Sequence, residues 1–171
     1  VATLTAKMVR AAGNHKAKIC STRKTTPLLR ALEKYAVRVG GGANHRLGLD
    51  DAILIKDNHI AIAGGVASAV AAAKNAAGHM VKIEVEVDTL DQLQEALAAG
   101  ADVVMLDNMS LDDMARAVEM ARGKALVEAS GGVTLARIPA IAATGVDMIS
   151  SGALTHSAPN FDVGLDFKAA G

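Results

Sequence analysis

The stretch Val81-Lys82-Ile83-Glu84-Val85-Glu86-Val87 decides the fold of this chain. Apolar and charged side chains alternate along it, a pattern typical of a strand whose two faces meet different surroundings. We expect the apolar face to meet helices and the charged face to point into a barrel. The charged side chains are Lys82, Glu84 and Glu86. Buried charges need partners, so this pattern predicts an internal Lys–Glu ion network, a metal or a substrate inside the barrel.

Five further short apolar runs predict strands on either side of this stretch: Ala17–Ser21, Ala52–Lys56, Asp102–Leu106, Ala125–Ala129 and Val146–Ser150. The last four strands begin at 81, 102, 125 and 146, in steps of 21, 23 and 21 residues. Such a regular alternation of buried strand and helix is typical of a parallel sheet covered by helices. We therefore predict an α/β fold, a TIM-barrel-like parallel (β/α) barrel that is incomplete, with six or seven strands, in one domain over residues 1–171.

The segment after the first strand carries a helix signal. Thr26 is a suitable N-cap and Pro27 suits the first helical position. The pattern predicts a helix ending at Gly40–Gly42, with an apolar face that carries Leu28, Leu32, Tyr35 and Val39. We expect this face to be part of the core.

Three more helices are predicted between the later strands. Ser110 with Asp113 resembles a capping box. An apolar stripe that stops at Gly100 precedes it, formed by Leu90, Leu93 and Leu97. Thr134 is a candidate cap for the last of the three, but Pro139 lies within that segment and predicts a late start or a kink.

Composition excludes several function classes. The 171 residues carry no net charge, so nothing draws the whole chain to nucleic acid or to a membrane surface. One Tyr, two Phe and no Trp leave little for stacking on bases. Cys20 is the only cysteine, which fits a reducing, cytoplasmic compartment. The chain opens on Val1 rather than Met, which we take to mean the inside of a longer protein.

Charge is unevenly distributed along the chain. Residues 1–60 carry a net charge of +7 and residues 61–171 a net charge of −7. This asymmetry favours a site with a cationic side for anions and a carboxylate side for a metal, although solvated surface faces would give the same count.

Nearly every predicted strand ends in polar residues, and in parallel α/β folds these ends carry the working groups. The five ends besides the third strand are Ser21-Thr22-Arg23-Lys24, Lys56-Asp57-Asn58-His59, Asp107-Asn108, Ser130-Gly131-Gly132 and Ser150-Ser151-Gly152. The glycine-containing loops suit phosphate, because small residues let backbone N–H groups approach an anion. The cations suit carboxylate or phosphate, and they are Arg23, Lys24, His45, Arg46 and Lys56. For His45 and Arg46 a solvated loop is the competing interpretation.

These blocks resemble, in order and over essentially the whole chain, the motifs of the quinolinate phosphoribosyltransferase family. The matching segments are Thr22–Pro27, Gly40–Gly48, Ile55–His59, Glu84–Val87, Leu106–Asn108, Glu128–Gly132 and Gly152–Ser157. The resemblance implies a transferase of NAD biosynthesis that converts quinolinate and phosphoribosyl pyrophosphate to nicotinate mononucleotide, pyrophosphate and CO2, with Mg²⁺ as cofactor.

The resemblance also implies a role for individual residues. Quinolinate would be held by Thr22, Arg23, His45, Arg46 and Lys56. The catalytic residues would be Lys24, Glu86 and Asp107, of which Glu86 and Asp107 would serve Mg²⁺ directly or through water. The phosphates would be bound by Lys24, Ser130, Gly131, Gly132, Ser151, Gly152, Ala153 and His156.

Two positions depart from the family pattern. Ser21 stands where an acid is usual and Leu28 where Gly is frequent. Family members carry a further N-terminal domain, assemble as homodimers or higher homo-oligomers, and complete the quinolinate site with an Arg of the neighbouring subunit. The resemblance therefore implies that this chain begins after that domain.

Three alternatives stay open at this point. One is a related phosphoribosyltransferase that acts on another ring. The second is a class I aldolase-like barrel with Lys56 or Lys82 as the Schiff-base residue. The third is a phosphate-binding barrel without turnover.

Overall fold

The computed structural model describes residues 1–167, and the predicted domain end at Gly171 lies outside them. All six predicted strands form, each within two residues of its expected bounds: β1 Lys18–Cys20, β2 Ile53–Ile55, β3 Ile83–Val87, β4 Val103–Asp107, β5 Leu126–Ser130 and β6 Met148–Ser150. They make one parallel sheet in the order β1-β6-β5-β4-β3-β2. The predicted α/β class is confirmed.

Eight helices surround the sheet in the described part of the chain: α1 Ala2–Ala12, α2 Arg30–Val39, α3 Asp57–Ala63, α4 Val66–Ala76, α5 Leu90–Ala98, α6 Leu111–Ala121, α7 Ile138–Ala143 and α8 Ala153–His156. The Ser110 hydroxyl accepts the Asp113 N–H and caps α6, as predicted. Pro139 falls in the first turn of α7, which confirms the late start. Over residues 1–167 no helix is long and apolar enough to cross a membrane.

The sheet is an incomplete barrel. The first strand pairs with the last, while β1 and β2 have no ladder between them. The free edge of β1 meets a single residue of the following segment: the Ala43 N–H donates to the Ile19 carbonyl (2.8 Å) and the Ala43 carbonyl accepts from the Ser21 N–H (3.0 Å). This isolated β-bridge was not predicted from the sequence, because Ala43 does not lie in an apolar run. The residues that follow Ala43 therefore lie where residues at the carboxyl end of a strand would lie.

The alternation predicted over residues 82–87 is right for the five residues of β3, with Glu86 at the cleft, and wrong for Lys82. Ile83, Val85 and Val87 are buried against the helices, and Glu84 is buried on the other face. Lys82 precedes the strand and points away from the interior. Its ammonium group pairs with Asp102 at 2.6 Å at the amino-terminal end of the sheet, where its side chain is exposed. The Lys–Glu network inside the barrel therefore does not form with Lys82.

The predicted orientation of α2 is wrong. All four members of its apolar stripe are exposed: Leu28, Leu32, Tyr35 and Val39. The inward face carries Glu33, Lys34 and Val37 instead. The reason is that α2 packs on the loops after β1 and before β2, which present backbone carbonyls and hydroxyls, and these require charged partners rather than apolar ones.

The start of α2 is also later than predicted. Thr26 accepts the Leu29 N–H at 3.0 Å, so Thr26 to Leu29 form a β-turn with Pro27 at its second position. Leu28 occupies the third position with φ of +67°, the backbone conformation that glycine favours in a type II turn. The helix can begin only after this turn.

We therefore expect Leu28→Gly to stabilise the protein. Leu28 is fully exposed, so its side chain contributes no packing, and relief of the left-handed backbone should outweigh the entropy of the added glycine by about 0.5–1 kcal/mol. Denaturant unfolding measures the change. The matched control is Leu32→Gly, an exposed position inside α2, which should destabilise by about 1 kcal/mol. Equal losses in both variants would contradict the assignment of strain to Leu28.

Candidate active site

A cleft of about 420 Å³ opens at the carboxyl ends of the strands. Nine of the fifteen predicted site residues line it: Thr22, Arg23, Lys24, His45, Arg46, Lys56, Glu86, Asp107 and Ser130. Four further residues complete its walls: Leu54, Met105, Glu128 and Ser150. The cleft thus combines cations from the first two strand ends with carboxylates from β3, β4 and β5.

A larger hollow of about 790 Å³ lies at the opposite, amino-terminal end of the sheet. Most of its charged groups are paired with one another, as are Lys16 and Asp147 at 2.7 Å and Lys82 and Asp102 at 2.6 Å. The smaller cleft is the better candidate site, because its guanidinium and carboxylate groups retain unused hydrogen-bonding atoms.

Six predicted phosphate residues lie outside the walls of this cleft: Gly131, Gly132, Ser151, Gly152, Ala153 and His156. The segment 152–156 nevertheless packs on Lys24. Thr155 Oγ1 donates to the Lys24 carbonyl at 2.6 Å, and a Cβ at Gly152 would lie 3.3 Å from Lys24 Cδ and 2.8 Å from His156 Nε2. The absence of a side chain at Gly152 thus leaves room for Lys24 and His156 to approach the backbone.

Gly131 is required for a different reason. It has φ of +82°, and a Cβ there would lie 2.2 Å from Asn108 Oδ1. The Asn108 backbone N–H donates to the Ser130 carbonyl at 3.0 Å. Asn108 thus ties the end of β4 to the loop after β5, which keeps Asp107 and Ser130 side by side at the cleft.

The inward side of α2 binds two loops that carry cations of the cleft, the loop after β1 and the loop before β2. Arg30 donates to the Arg23 carbonyl (3.2 Å), to Thr25 Oγ1 (3.0 Å) and to the Leu47 carbonyl (3.3 Å). Lys34 donates to the His45 carbonyl at 2.8 Å. One helix therefore sets the distance between the loop after β1 and the loop before β2.

Ser21 belongs to this network rather than to the cleft. It is fully buried, and its Oγ accepts from Lys34 Nζ (3.2 Å) and donates to Asn44 Oδ1 (3.0 Å). Burial and then the charge of Arg30 lower the pKa of Lys34. The Ser21 hydroxyl thus accepts a hydrogen bond from Lys34 without cancelling its positive charge.

Arg23 and Arg46 both line this cleft, and each has a buried Nε–H without a partner in the described structure. Arg46 is anchored by one contact, from Nη1 to the Ala52 carbonyl at 3.1 Å. Burial and then the charge of Arg23 lower the pKa of Arg46. Two nearby cations with unused donors are poised for an anion that bridges them.

Lys56 and Glu86, at the neighbouring ends of β2 and β3, form an ion pair at the cleft. Lys56 is the N-cap residue of α3, and its backbone N–H donates to His59 Nδ1 at 2.9 Å, which fixes the start of that helix. Asp107, on the neighbouring strand, accepts from Asn108 Nδ2 at 2.9 Å. Two carboxylates therefore stand on adjacent strand ends, one of them already paired with a cation.

Three titratable groups meet inside the barrel beneath these residues. His45 Nε2 lies 2.8 Å from Glu84 Oε2 and 3.9 Å from Glu128 Oε2. Glu84 and Glu128 each keep one buried oxygen without a partner. Because β3 and β5 are not neighbours in the sheet, this meeting requires the sheet to curl around its interior.

The interior charges move the pKa values of this cluster. Burial and then the charge of Glu84 raise the pKa of Glu128 to about 7. Burial lowers the pKa of His45, but the hydrogen bond to Glu84 and the charge of Glu128 outweigh it, so that the pKa is raised. Both shifts favour the protonated form of the group concerned, which lessens the repulsion between the two carboxylates.

The sequence analysis gave no cleft role to Glu128, Leu54 and Met105, and it named Ser150 only as part of a polar strand end. A usable signal existed for the first three. Each lies two residues before a polar strand end, at Ser130, Lys56 and Asp107 respectively, and side chains two apart in a strand share a face.

We expect Glu128→Gln to reduce the pH dependence of stability. A carboxyl whose folded pKa of about 7 exceeds its ordinary value favours the folded state while protonated, and this contribution is lost as the pH rises from about 4.5 through 7. Between pH 5 and pH 8 the wild-type protein should lose about 2 kcal/mol that the amide variant retains. Thermal or denaturant unfolding at both values measures this. Parallel pH curves for the two proteins would contradict it.

Comparison with known proteins places this arrangement in a family. Residues 1–166 match the family described as quinolinate phosphoribosyl transferase, C-terminal domain. The "probable nicotinate-nucleotide pyrophosphorylase (carboxylating)" of Bacillus subtilis is 54% identical over 166 residues, which is 97% of this chain and 57% of that protein. The nicotinate-nucleotide pyrophosphorylase (carboxylating) of Mycobacterium leprae is 50% identical over 97% of this chain and 59% of its own length. This chain thus spans less than two thirds of these relatives.

Solved structures agree with the fold. The nicotinate-nucleotide pyrophosphorylase of Francisella tularensis has a TM-score of 0.88 at 54% identity, over 91% of this chain and 55% of that chain. The protein of the same name from Ehrlichia chaffeensis has a TM-score of 0.92 at 43% identity, over 96% of this chain and 60% of that one. The resemblance noted in the sequence is thereby confirmed: the chain belongs to the quinolinate phosphoribosyltransferase family, as its C-terminal domain.

Proposed function

We propose that the protein carrying this chain transfers the phosphoribosyl group of phosphoribosyl pyrophosphate to quinolinate, with release of pyrophosphate and CO2. The names of its relatives and the match to the family support this reaction. The observation that carries it is that Arg23 and Arg46 line one cleft and that each keeps a buried Nε–H without a partner in the described structure.

Quinolinate carries two carboxylates on adjacent ring carbons, so it is the kind of compact dianion that such a pair would bind. Each guanidinium offers a planar fork of donors that matches a carboxylate. A bound dianion would also relieve the repulsion between Arg23 and Arg46. Held in this way, the ring nitrogen would be oriented toward the anomeric carbon of the ribose.

The opposite wall of the cleft suits the other substrate. Departure of pyrophosphate leaves positive charge on the ribose, which the Glu86 and Asp107 carboxylates would stabilise. Lys24 would bind the departing pyrophosphate. The segment Gly152–His156, packed on Lys24, would receive the 5′-phosphate together with Ser130. Loss of CO2 would leave an electron pair on the ring carbon beside the positively charged nitrogen, which would stabilise it until a proton takes the place of CO2.

The donor set at Glu86 and Asp107 fits Mg²⁺. Both are carboxylates on adjacent strand ends, and Mg²⁺ is commonly held by one or two carboxylates while substrate phosphates and waters supply the remaining ligands. These two residues would hold the ion, which would supply positive charge to the pyrophosphate.

Lysine chemistry of the aldolase type is disfavoured. Lys82 lies at the opposite end of the sheet from the cleft. The Lys56 amine is engaged by the Glu86 carboxylate, whereas a Schiff-base lysine needs its nitrogen free to attack a carbonyl. We further propose that the protein acts in the cytoplasm as a homo-oligomer, in line with its lone cysteine and with the family resemblance.

Turnover by the full-length protein tests the reaction. With quinolinate labelled at the carboxylate next to the ring nitrogen, phosphoribosyl pyrophosphate and Mg²⁺, we expect labelled CO2 in step with pyrophosphate. Omission of each component in turn provides the control. Consumption of nicotinate without CO2 release would assign the cleft to a related phosphoribosyltransferase instead, and binding without turnover would leave a phosphate-binding barrel.

We expect Lys24→Ala and Glu86→Ala to abolish this turnover without unfolding the protein. Each substitution removes a charge that would meet pyrophosphate or the ribose, a loss of about 100-fold or more. Lys82→Ala is the matched control, because it removes a charge beside the same strand at the other end of the sheet. Retained activity in both cleft variants would show that these roles are misassigned.

A further inference from the structure

The His45 imidazole links the barrel interior to the backbone of the next residue. Its Nδ1 accepts the Arg46 N–H at 2.8 Å, and its Nε2 lies 2.8 Å from Glu84 Oε2. A ring that accepts at Nδ1 carries its hydrogen at Nε2, and this is the hydrogen that the Glu84 carboxylate receives. Glu84 therefore selects the tautomer that binds the Arg46 amide.

Arg46 is held at both ends by this arrangement. Its backbone N–H is fixed by the His45 ring, and its guanidinium is anchored on the Ala52 carbonyl at 3.1 Å. The His45 carbonyl is fixed separately by Lys34 at 2.8 Å. Loss of the contact to Glu84 would free the ring to rotate and would release the Arg46 amide, while the contact to Lys34 would persist.

Glu128 stands next to the same ring nitrogen. Its Oε2 is 3.9 Å from His45 Nε2, too far for a hydrogen bond but close enough to limit rotation of the ring, and its side chain is almost fully buried. Neither Glu84 nor Glu128 has a part in the proposed reaction. Burial of these carboxyl groups inside the barrel costs free energy of folding, which a role in positioning other residues would explain.

We propose that Glu84 is a positioning residue, which acts through His45 to hold Arg46 at the cleft, with Glu128 confining the same ring. This inference rests on the proposed quinolinate phosphoribosyl transfer for its activity measurements. A substrate carboxylate can receive the Nε2 hydrogen of His45 only if Glu84 gives it up, so the main contribution of His45 is the placement of Arg46.

Steady-state kinetics of the full-length protein provide the first test. In Glu84→Ala we expect the KM for quinolinate to rise about tenfold or more, with smaller changes in kcat and in the KM for phosphoribosyl pyrophosphate, because a displaced Arg46 weakens one substrate selectively. Glu84→Gln keeps an acceptor oxygen and should stay within about threefold of the wild type. Lys82→Ala, beside the same strand, should leave both constants unchanged. Equal losses in the Ala and Gln variants, or a loss confined to kcat, would overturn the proposal.

A double-mutant cycle shows whether Glu84 acts through His45. If it does, Glu84→Ala should add less than about twofold to the KM of a His45→Ala protein, since the ring it positions is already gone. A full tenfold addition in that background would mean that Glu84 acts on the substrate site by another route, which contradicts the proposal.

Nitrogen NMR of the His45 ring tests the same contact without turnover. We expect an unprotonated Nδ1 and a protonated Nε2 in the wild type and in Glu84→Gln, and mixed tautomers in Glu84→Ala. If the Ala variant does not fold, the Gln variant carries the test, and loss of the wild-type tautomer there would overturn the proposal. A stoichiometric shift of these signals by Zn²⁺ would do so as well, since it would assign the three side chains to a metal.

A wild-type protein that shows the expected tautomer but no turnover with quinolinate would refute the proposed reaction and leave the positioning contact standing. Turnover of quinolinate by a protein with a different His45 tautomer would refute the positioning contact and leave the proposed reaction standing.

Discussion

The hydrogen bond between His45 and Glu84 is the interaction on which the site depends. It joins a segment beside β1 to a strand on the far side of the sheet, and so it crosses the barrel interior. Two buried carboxylates would repel each other there without a proton or a cation nearby. The imidazole supplies that partner, and in the same contact it orders the residue that follows it.

The helix α2 holds together two loops that carry positive charge. Its outward face is apolar and its inward face is charged, the reverse of the usual arrangement. Arg30 and Lys34 use this face to bind the carbonyls of two loops that have no ladder between them. The gap between β1 and β2 is thus bridged by side chains, and the loops that carry Arg23 and Arg46 are held together against their mutual repulsion.

Different strands contribute different types of side chain to the cleft. Cations follow β1 and precede or end β2, carboxylates end β3 and β4, and small residues follow β5 and β6. The curl of the sheet brings these groups into one cleft, where Lys56 and Glu86 are already paired. Glycine at 131 and 152 serves the same end, since a side chain at either position would collide with Asn108 or with His156. The similarity to family members at 43–54% identity extends over this whole arrangement.

The sequence by itself determined the strands, the parallel sheet and nine of the residues that meet in the cleft. Period-two alternation and the regular strand–helix step are local properties, and polar residues at the ends of parallel strands must converge on one edge. Tertiary structure decided the rest. The isolated β-bridge at Ala43, the inverted face of α2 and the meeting of His45 with Glu84 and Glu128 all depend on contacts between segments far apart in the chain. A stripe of apolar residues shows that a helix is amphipathic, but which face turns inward depends on whether its neighbours offer apolar groups or unpaired carbonyls.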